Sequence, residues 1–400
     1  MPDAHPVLVV GAGPVGLAAA LALRARDLPV TVLEAEAEGR ERPGSRAIFV
    51  HRESLEHLED VRAGLGWELA RNGLVWTTKR TFWGEDLVYE RTYPPPDPTR
   101  LPHSTNLSQV EIERVLFDAC TAAGVTFAWD QELESCVWSS DGVVLRTTCG
   151  DDWRAEHVVG ADGARSVVRS SAGIELEGPR IEDAFVIVDV AEDVRHPMVP
   201  ERVYYYEHPA VGGRNVLLVP FAGGIRADLQ LRRDDDPEGF NDRDGVQRWI
   251  GRVLPNKYAD RVTWVSTYRF HQAVASAFTD QHRRLCLVGE AAHLFAPFGA
   301  RGLNSGVPDA LVAARSIRAA HDGDAHAIDH FATTRREAAL YNRDASNVAL
   351  QHMQANGWTV RAKRRVQAAI AKRGIAAGAW LDSSPFGPRA AEHKTETGSY

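Results

Sequence analysis

Sulfur is scarce in this chain, and long apolar runs are missing. Its 400 residues hold four cysteines and three methionines. Cys120, Cys136, Cys149 and Cys286 form no C-x-x-C pair and no zinc-ligand spacing. That excludes a zinc ribbon and a dithiol redox centre, and it suits a reduced, cytoplasmic setting. No stretch reaches the roughly 18 apolar residues of a membrane helix, so stable membrane insertion is not expected. The N-terminus runs straight into a strand pattern, so no signal peptide is expected. Basic excess is absent too: 46 Lys and Arg stand against 54 Asp and Glu, a formal net charge of −8. A nucleic-acid partner is therefore excluded. No internal repeat is present, and G-x-G-x-x-G occurs once.

What is there is organised around residues 7–34. The apolar run 7–10 predicts a buried parallel strand. Gly11, Gly13 and Gly16 follow in G-x-G-x-x-G spacing, with Pro14 and Val15 between, and lead into an Ala/Leu helical pattern. A second strand, 30–33, ends on Glu34. Gly11 allows a tight turn, Gly13 lets a pyrophosphate approach the backbone, and Gly16 lets the helix lie close on the strand. The helix N-terminus offers N–H groups and a positive dipole end to phosphates. Glu34, 18 positions after Gly16, suits ribose hydroxyls. The whole unit predicts an adenine-dinucleotide site, and the acid favours FAD or NAD over NADP.

Residues 35–45 read as a loop. Arg46 after it either meets a pyrophosphate or is a solvated arginine. Residues 52–69 carry helical periodicity. Residues 73–91 suggest two strands around a turn at 84–86, an inserted hairpin whose Trp76, Phe82 and Trp83 are core or line an aromatic pocket. Residues 106–123 predict a helix with Ser108 as N-cap, Glu111 completing a capping box and Gln109 at its start. Strands follow at 125–129, 132–139 and 143–148.

Two more strand ends are informative. The strand 157–161 breaks into Asp162-Gly163, which lies on the binding edge of an open α/β sheet or caps a helix from about Ser166. The strand 285–288 ends on Gly289-Glu290. Pro297, Gly299, Gly302 and Gly306 then predict a loop of close backbone approach, suited to a planar ligand held by main-chain amides, before a helix from about Val307. Between these lie strands over 184–231 and 262–269, a mostly antiparallel sheet with a helix at 239–253. Tyr204, Tyr205 and Tyr206 alternate across its faces. Residues 325–371 are helical. The basic stretch 361–373 reads as a solvated face or as a membrane or partner helix. From about Ser383 the chain is polar and expected to be poorly ordered.

Taken together, GAGPVG with Glu34, GADGARSVVR (160–169) and LVGEAAHLFAPFGARGLNSGVPDA (287–310) resemble the class A flavoprotein monooxygenases, the aromatic hydroxylases of the p-hydroxybenzoate hydroxylase fold. SRAIFVHRESLEHLE (45–59) and NLSQVEIERVL (106–116) are similar to its hydroxyphenylpropionate- and chlorophenol-hydroxylase branch. The resemblance covers roughly residues 7–345. It implies an α/β fold: a Rossmann-like FAD-binding domain over 1–74, 106–176 and 277–322, with an inserted, mostly antiparallel substrate domain over 75–105 and 177–276. C-terminal helices over 323–382 and a flexible tail over 383–400 complete it. It implies FAD as cofactor, with Glu34 on the adenosine ribose and Gly11 to Gly16 at the pyrophosphate. Arg46 and Gln109 would contact the phosphates and ribityl region, and Asp162 with Gly163 the FAD and pyridine nucleotide. Gly289 and Glu290 would meet the ribityl chain, and Pro297, Gly299, Gly302, Leu303 and Asn304 the isoalloxazine ring. Glu290 stands where the family usually has Asp, which moves the carboxylate by about 1.5 Å and leaves open a loosely held FAD. Larger relatives carry a C-terminal thioredoxin-like domain, and SSPFGPR (383–389) looks like its entry segment with the domain missing.

The resemblance also implies a reaction. NADPH or NADH, visiting rather than lodged, would reduce the flavin. O2 and a small phenolic or polycyclic aromatic substrate would then react through a flavin C4a-hydroperoxide. A phenol reacts faster as phenolate, so a base or hydrogen-bond acceptor is expected nearby. Tyr204, Tyr206, His208 and His271 are candidates, though residues so placed are more often structural or surface residues, and His293 is read as structural. A flavin oxidase, an epoxidase or Baeyer–Villiger enzyme, and a non-catalytic flavin-fold protein remain alternatives. A monomer or homodimer is expected. The halogenase signature WxWxIP is absent.

Overall fold

A computed structural model describes residues 5–40, 47–355, 358–372 and 378–386. Arg46 lies outside them, as do residues 387–400 of the expected tail. Two seven-stranded sheets organise the chain. In the first, Thr126–Ala128, Val30–Leu33, His5–Val10 and Asp152–Gly160 lie side by side and parallel. These strands are short and apolar because both of their faces are buried. Asp152–Gly160 forks. Its first half pairs antiparallel with Gly142–Thr147, and its last three residues pair parallel with Leu285–Leu287. The helices Pro14–Arg24 and Arg301–His321 pack on this sheet around one large core.

The second sheet runs Val262–His271, Arg180–Ala191, Gly224–Gln230, Arg214–Phe221, Glu201–His208, Thr78–Trp83, Asp86–Thr92. It is antiparallel except where Thr78–Trp83 meets Glu201–His208. That parallel junction brings the early hairpin to the far sheet. One face packs under the helix Arg243–Val253. The other carries Tyr204 and Tyr206 and faces Phe298, Met353 and Leu381. Tyr205 points the opposite way and stacks on Phe82. Among the described residues no helix is long and apolar enough to cross a membrane.

Several expected boundaries move, each for a local reason. Residues 104–108 are a strand, not the start of a helix. They pair with Ala47–His51, and the helix is Gln109–Ala122. Ser108 caps it by accepting from the Glu111 N–H at 3.1 Å. The expected capping box is not completed by the Glu111 carboxylate, which turns to Asn72 and Arg114. Residues 52–69 form two helices, Arg52–Val61 and Leu65–Asn72, separated where Gly64 takes φ +89°. Asp242 caps the helix Arg243–Val253 and so splits the expected 239–253 helix. The helix expected from about Val307 starts at Arg301, so Gly302, Leu303, Asn304 and Gly306 are helical rather than loop. The C-terminal helices break at Ala355 in the left-handed region, between Ala327–Gln354 and Trp358–Ala371. The expected flexible tail is ordered at its start: Ala379–Ser383 is a short helix followed by a turn at Ser384–Phe386. Asp382 on it is buried in ion pairs with Lys79 and Arg202.

Candidate active site

The register of the first sheet decides where its polar residues meet. Val10 lies beside Gly160, and Gly160 beside Leu287. Gly11, Asp162 and Gly289 therefore leave the sheet at one edge. Gly11 sits at φ +100°, and a Cβ there would stand 2.6 Å from the Ala161 carbonyl oxygen. A Cβ on Gly16 would stand 2.0 Å from the Gly11 carbonyl oxygen. A Cβ on Gly306 would come within 2.5 Å of Val15 Cγ2, and one on Gly289 within 3.1 Å. Three distant stretches thus interlock around Val15. A Cβ on Gly13, Gly163 or Gly302 would meet nothing within 4 Å, so these glycines border open space. The Pro14–Arg24 helix starts at Gly13 with no side-chain cap, leaving its N-terminus available to a phosphate. An extended dinucleotide fits this edge.

Glu34 lies at one end of the edge. Its carboxylate accepts from the Ala12 N–H at 2.6 Å and pairs with Arg40 at 3.0 Å. Arg40, which sequence reasoning missed, also pairs with Glu36 and lies over Trp129. Gln109 donates to Glu113 at 2.8 Å. Burial raises the Glu113 carboxyl, against the Gln109 bond and the charge of Arg40. Asp162 accepts from Ser166 Oγ at 2.5 Å and from the Val168 N–H at 3.0 Å, so it does cap the helix that follows. Burial raises its carboxyl against those bonds. Arg169 donates to the Ala291 carbonyl at 2.9 Å and clamps the second motif to the third.

Within the third motif, Asp309 is the hub. It accepts from the Gly289 N–H at 3.2 Å, from Arg335 at 2.8 Å, and sits 2.6 Å from His293 Nε2. Burial pushes its carboxyl up, yet His293 and Arg335 hold it below its usual range. His293 is therefore structural. Glu290 is exposed beside the groove. Asn304 is fully used inside the protein. It accepts from the His51 N–H and Ser54 Oγ and donates to the Phe49 and Ala300 carbonyls. Only its backbone is left for a ligand. His51 in turn meets the Gly299 carbonyl at 3.1 Å.

Pro297 and Phe298 close one side of a cleft of about 50 Å³ against the second sheet. Phe185, Leu217, Tyr204 and Asp228 are among the residues lining the rest. Of the four candidate bases only Tyr204 reaches it, and its hydroxyl contacts Met353 Sδ at 2.8 Å. Tyr206 is corrected to a structural position: its hydroxyl donates to the Leu381 carbonyl and meets His352. His208 packs on Tyr205 and accepts from the Ala210 N–H, and His271 is exposed at a strand end. Neither lines the cleft.

Asp228 is the group that sequence reasoning missed. Its Oδ1 is buried with no hydrogen-bond partner, 3.8 Å from Arg226 Nε. Arg226 instead donates to Asp189 at 3.1 Å and to the Ala47 carbonyl at 2.7 Å. Burial pushes the Asp228 carboxyl up to about 6, Arg226 opposing and Asp189 adding to it. A signal was present: Arg226 and Asp228 alternate with apolar Ile225, Ala227 and Leu229, so both project to one face. Such a pattern normally marks the solvent side; here that face is covered.

Comparison with known proteins follows the same geometry. The profile of the family described as FAD binding domain matches residues 4–370. The chain is 32% identical to a 6-methylpretetramide 4-monooxygenase of Streptomyces rimosus over 330 residues, 77% of this chain and 54% of that protein. It is 27% identical to a 3-(3-hydroxy-phenyl)propionate/3-hydroxycinnamic acid hydroxylase of Mycobacterium sp. (strain JLS), covering 86% of this chain and 59% of that one. The chain thus spans a little over half the length of these curated relatives. Among solved structures it is similar to p-nitrophenol 4-monooxygenase PnpA from Pseudomonas putida DLL-E4, with TM-score 0.78, 24% identity, and coverage of 97% and 100%. It is also similar to aklavinone-11 hydroxylase in complex with FAD and aklavinone, with TM-score 0.75, 23% identity, and coverage of 88% and 70%. These likenesses show the fold.

Proposed function

The chain belongs to the FAD binding domain family, and from that premise we propose that it hydroxylates a phenolic or polycyclic aromatic substrate with NADPH or NADH and O2. Its relatives in that family carry the names of monooxygenases and hydroxylases. Gly11 to Gly16, Glu34, Gln109, Asp162 and Gly289 would hold the dinucleotide, and the backbone of 297–304 the flavin ring. Bound there, FAD supplies electron transfer from the nicotinamide and activation of O2. The chain's own residues do the rest. Phe185, Leu217 and Phe298 exclude water and hold an aromatic ring by its faces. The cleft must open to admit that ring, and Met353, shared with a larger outer cavity, is placed to yield.

The observation that carries the reading is the unpartnered Asp228 oxygen in the cleft that Pro297 and Phe298 close. A phenol entering there gives it a donor. With a carboxyl near pH 6, Asp228 is ionised at neutral pH and accepts the phenolic proton as the ring becomes electron-rich. The test is purified protein, its flavin content, and a screen of phenols for accelerated NAD(P)H oxidation with product mass under labelled O2. A coloured protein whose product gains one labelled oxygen supports the proposal. Accelerated oxidation with peroxide as the sole product removes hydroxylation and leaves FAD binding intact.

A further inference from the structure

Arg364 is an oddity of the C-terminal helices. Its helix, Trp358–Ala371, has the basic pattern of a solvated face, yet Arg364 turns inward and is 5% exposed. Its guanidinium stacks 4.7 Å from the Tyr206 ring and 5.5 Å from that of Trp83. Its Nε has no hydrogen-bond partner, and among the described residues no carboxylate pairs with it. The nearby acid Asp382 is taken by Lys79 and Arg202. A buried cation without a counter-charge is expensive to hold, and ring contacts offset only part of that. The field is felt next door: burial, then Arg364 and Lys363, drive the His352 imidazole down to about 3.

Arg364 lines a cavity of about 490 Å³ with Arg232, Arg361 and Arg365, and with Glu207 as the acid on its wall. Asn215, Gln230 and Met353 line both this cavity and the Asp228 cleft. Asn215 donates to Gln230 at 2.8 Å and Gln230 donates to the Met353 backbone carbonyl at 3.4 Å, so these three residues form the partition. The inner cleft is too small for a substituted ring, and the outer one is ten times larger. A guanidinium presents paired donors that match a carboxylate.

We propose that the outer cavity is an anion site, and that it takes the carboxylate of an aromatic acid on Arg364 while the ring reaches past Met353 toward Asp228. This rests on the aromatic-substrate reading above. The same chemistry would suit the 2′-phosphate of NADPH, and the experiment separates the two.

Holoenzyme, wild type and Arg364→Gln, is titrated with 3-(3-hydroxyphenyl)propionate and with its methyl ester, following perturbation of the flavin absorbance. The acid is expected to bind wild type at least tenfold tighter than the ester. Arg364→Gln abolishes that preference with flavin content and ester affinity unchanged, and Arg364→Lys restores part of it. Equal binding of acid and ester to wild type overturns the proposal, as does a preference that survives Arg364→Gln, or no binding of the acid. A rise in KM for NADPH but not for NADH in Arg364→Gln assigns the anion to the cofactor and removes the substrate carboxylate. Flavin content is read in every sample, so an apoprotein signals failure of the parent reading rather than of the anion site.

Discussion

The two sheets treat buried charge in opposite ways. In the nucleotide-binding region the buried carboxylates Glu34, Asp162 and Asp309 have protein partners: Glu34 has Ala12 and Arg40, Asp162 has Ser166 and Val168, and Asp309, on a helix, has His293, Arg335 and Gly289. Around the second sheet two buried carboxylates keep an oxygen without a hydrogen bond, Asp189 Oδ2 and Asp228 Oδ1; unbonded nitrogens such as Arg226 Nη2, Arg364 Nε, Arg284 Nε and His293 Nδ1 occur in both regions, so the contrast lies in the carboxylates. The first arrangement stabilises a fold and leaves backbone N–H groups for a ligand. On the proposed function, the second would hold a carboxylate for a group that arrives from outside. A buried, unsatisfied polar atom is unfavourable, so each one asks for an explanation.

The contrast can be broken from either side. The largest effect is expected from Gly16→Ala, where the new Cβ would meet the Gly11 backbone at 2.0 Å. Overpacking usually costs about 1–3 kcal/mol, and because this clash is with backbone a loss at or beyond the top of that range is expected, together with loss of bound flavin. Denaturant unfolding and the flavin-to-protein ratio check it. Asp309→Asn takes the carboxylate away from buried Arg335 and from the His293 ring and should lose about 3–5 kcal/mol by the same unfolding measurement.

Asp228→Asn should do the reverse: leave unfolding within about 1 kcal/mol while lowering kcat/KM by about 10²–10⁴-fold, the usual worth of a positioned base. A stability loss as large as that of Asp309→Asn would erase the distinction between the regions. The pH profile sharpens it. Asp228 must be ionised to accept a proton, so kcat/KM of the wild type should rise as pH passes upward through about 6 and level off above. In Asp228→Asn that limb should vanish.

The smallest effect lies in two histidines, one in each region. Burial, with Arg284 and His321, drives His157 down to about 4, and His352 is driven to about 3. Both folded values lie below the unfolded value of about 6.5, so the unfolded chain takes up protons first as pH falls. Stability from both is complete above pH 6.5 and declines below it, until about pH 4 for His157 and about pH 3 for His352. The thermal midpoint should fall on acidification from pH 6.5, and His157→Gln should flatten the upper part of that slope.

Residues 7–34 determined their own structure, because strand, glycine turn, helix and acid are neighbours in the chain and each local choice agrees with the next. The class of fold and the meeting of Gly11, Asp162 and Gly289 at one edge of the first sheet were legible for the same reason. Asp228 and Arg364 were not. One reads as the solvent face of a strand and the other as the solvent face of a helix. Only long-range packing decides that Phe298 covers the first and that Trp83 and Tyr206 enclose the second. Backbone turns are set by neighbouring residues; the desolvation that makes a charge functional is set by whatever part of the chain comes to lie on it.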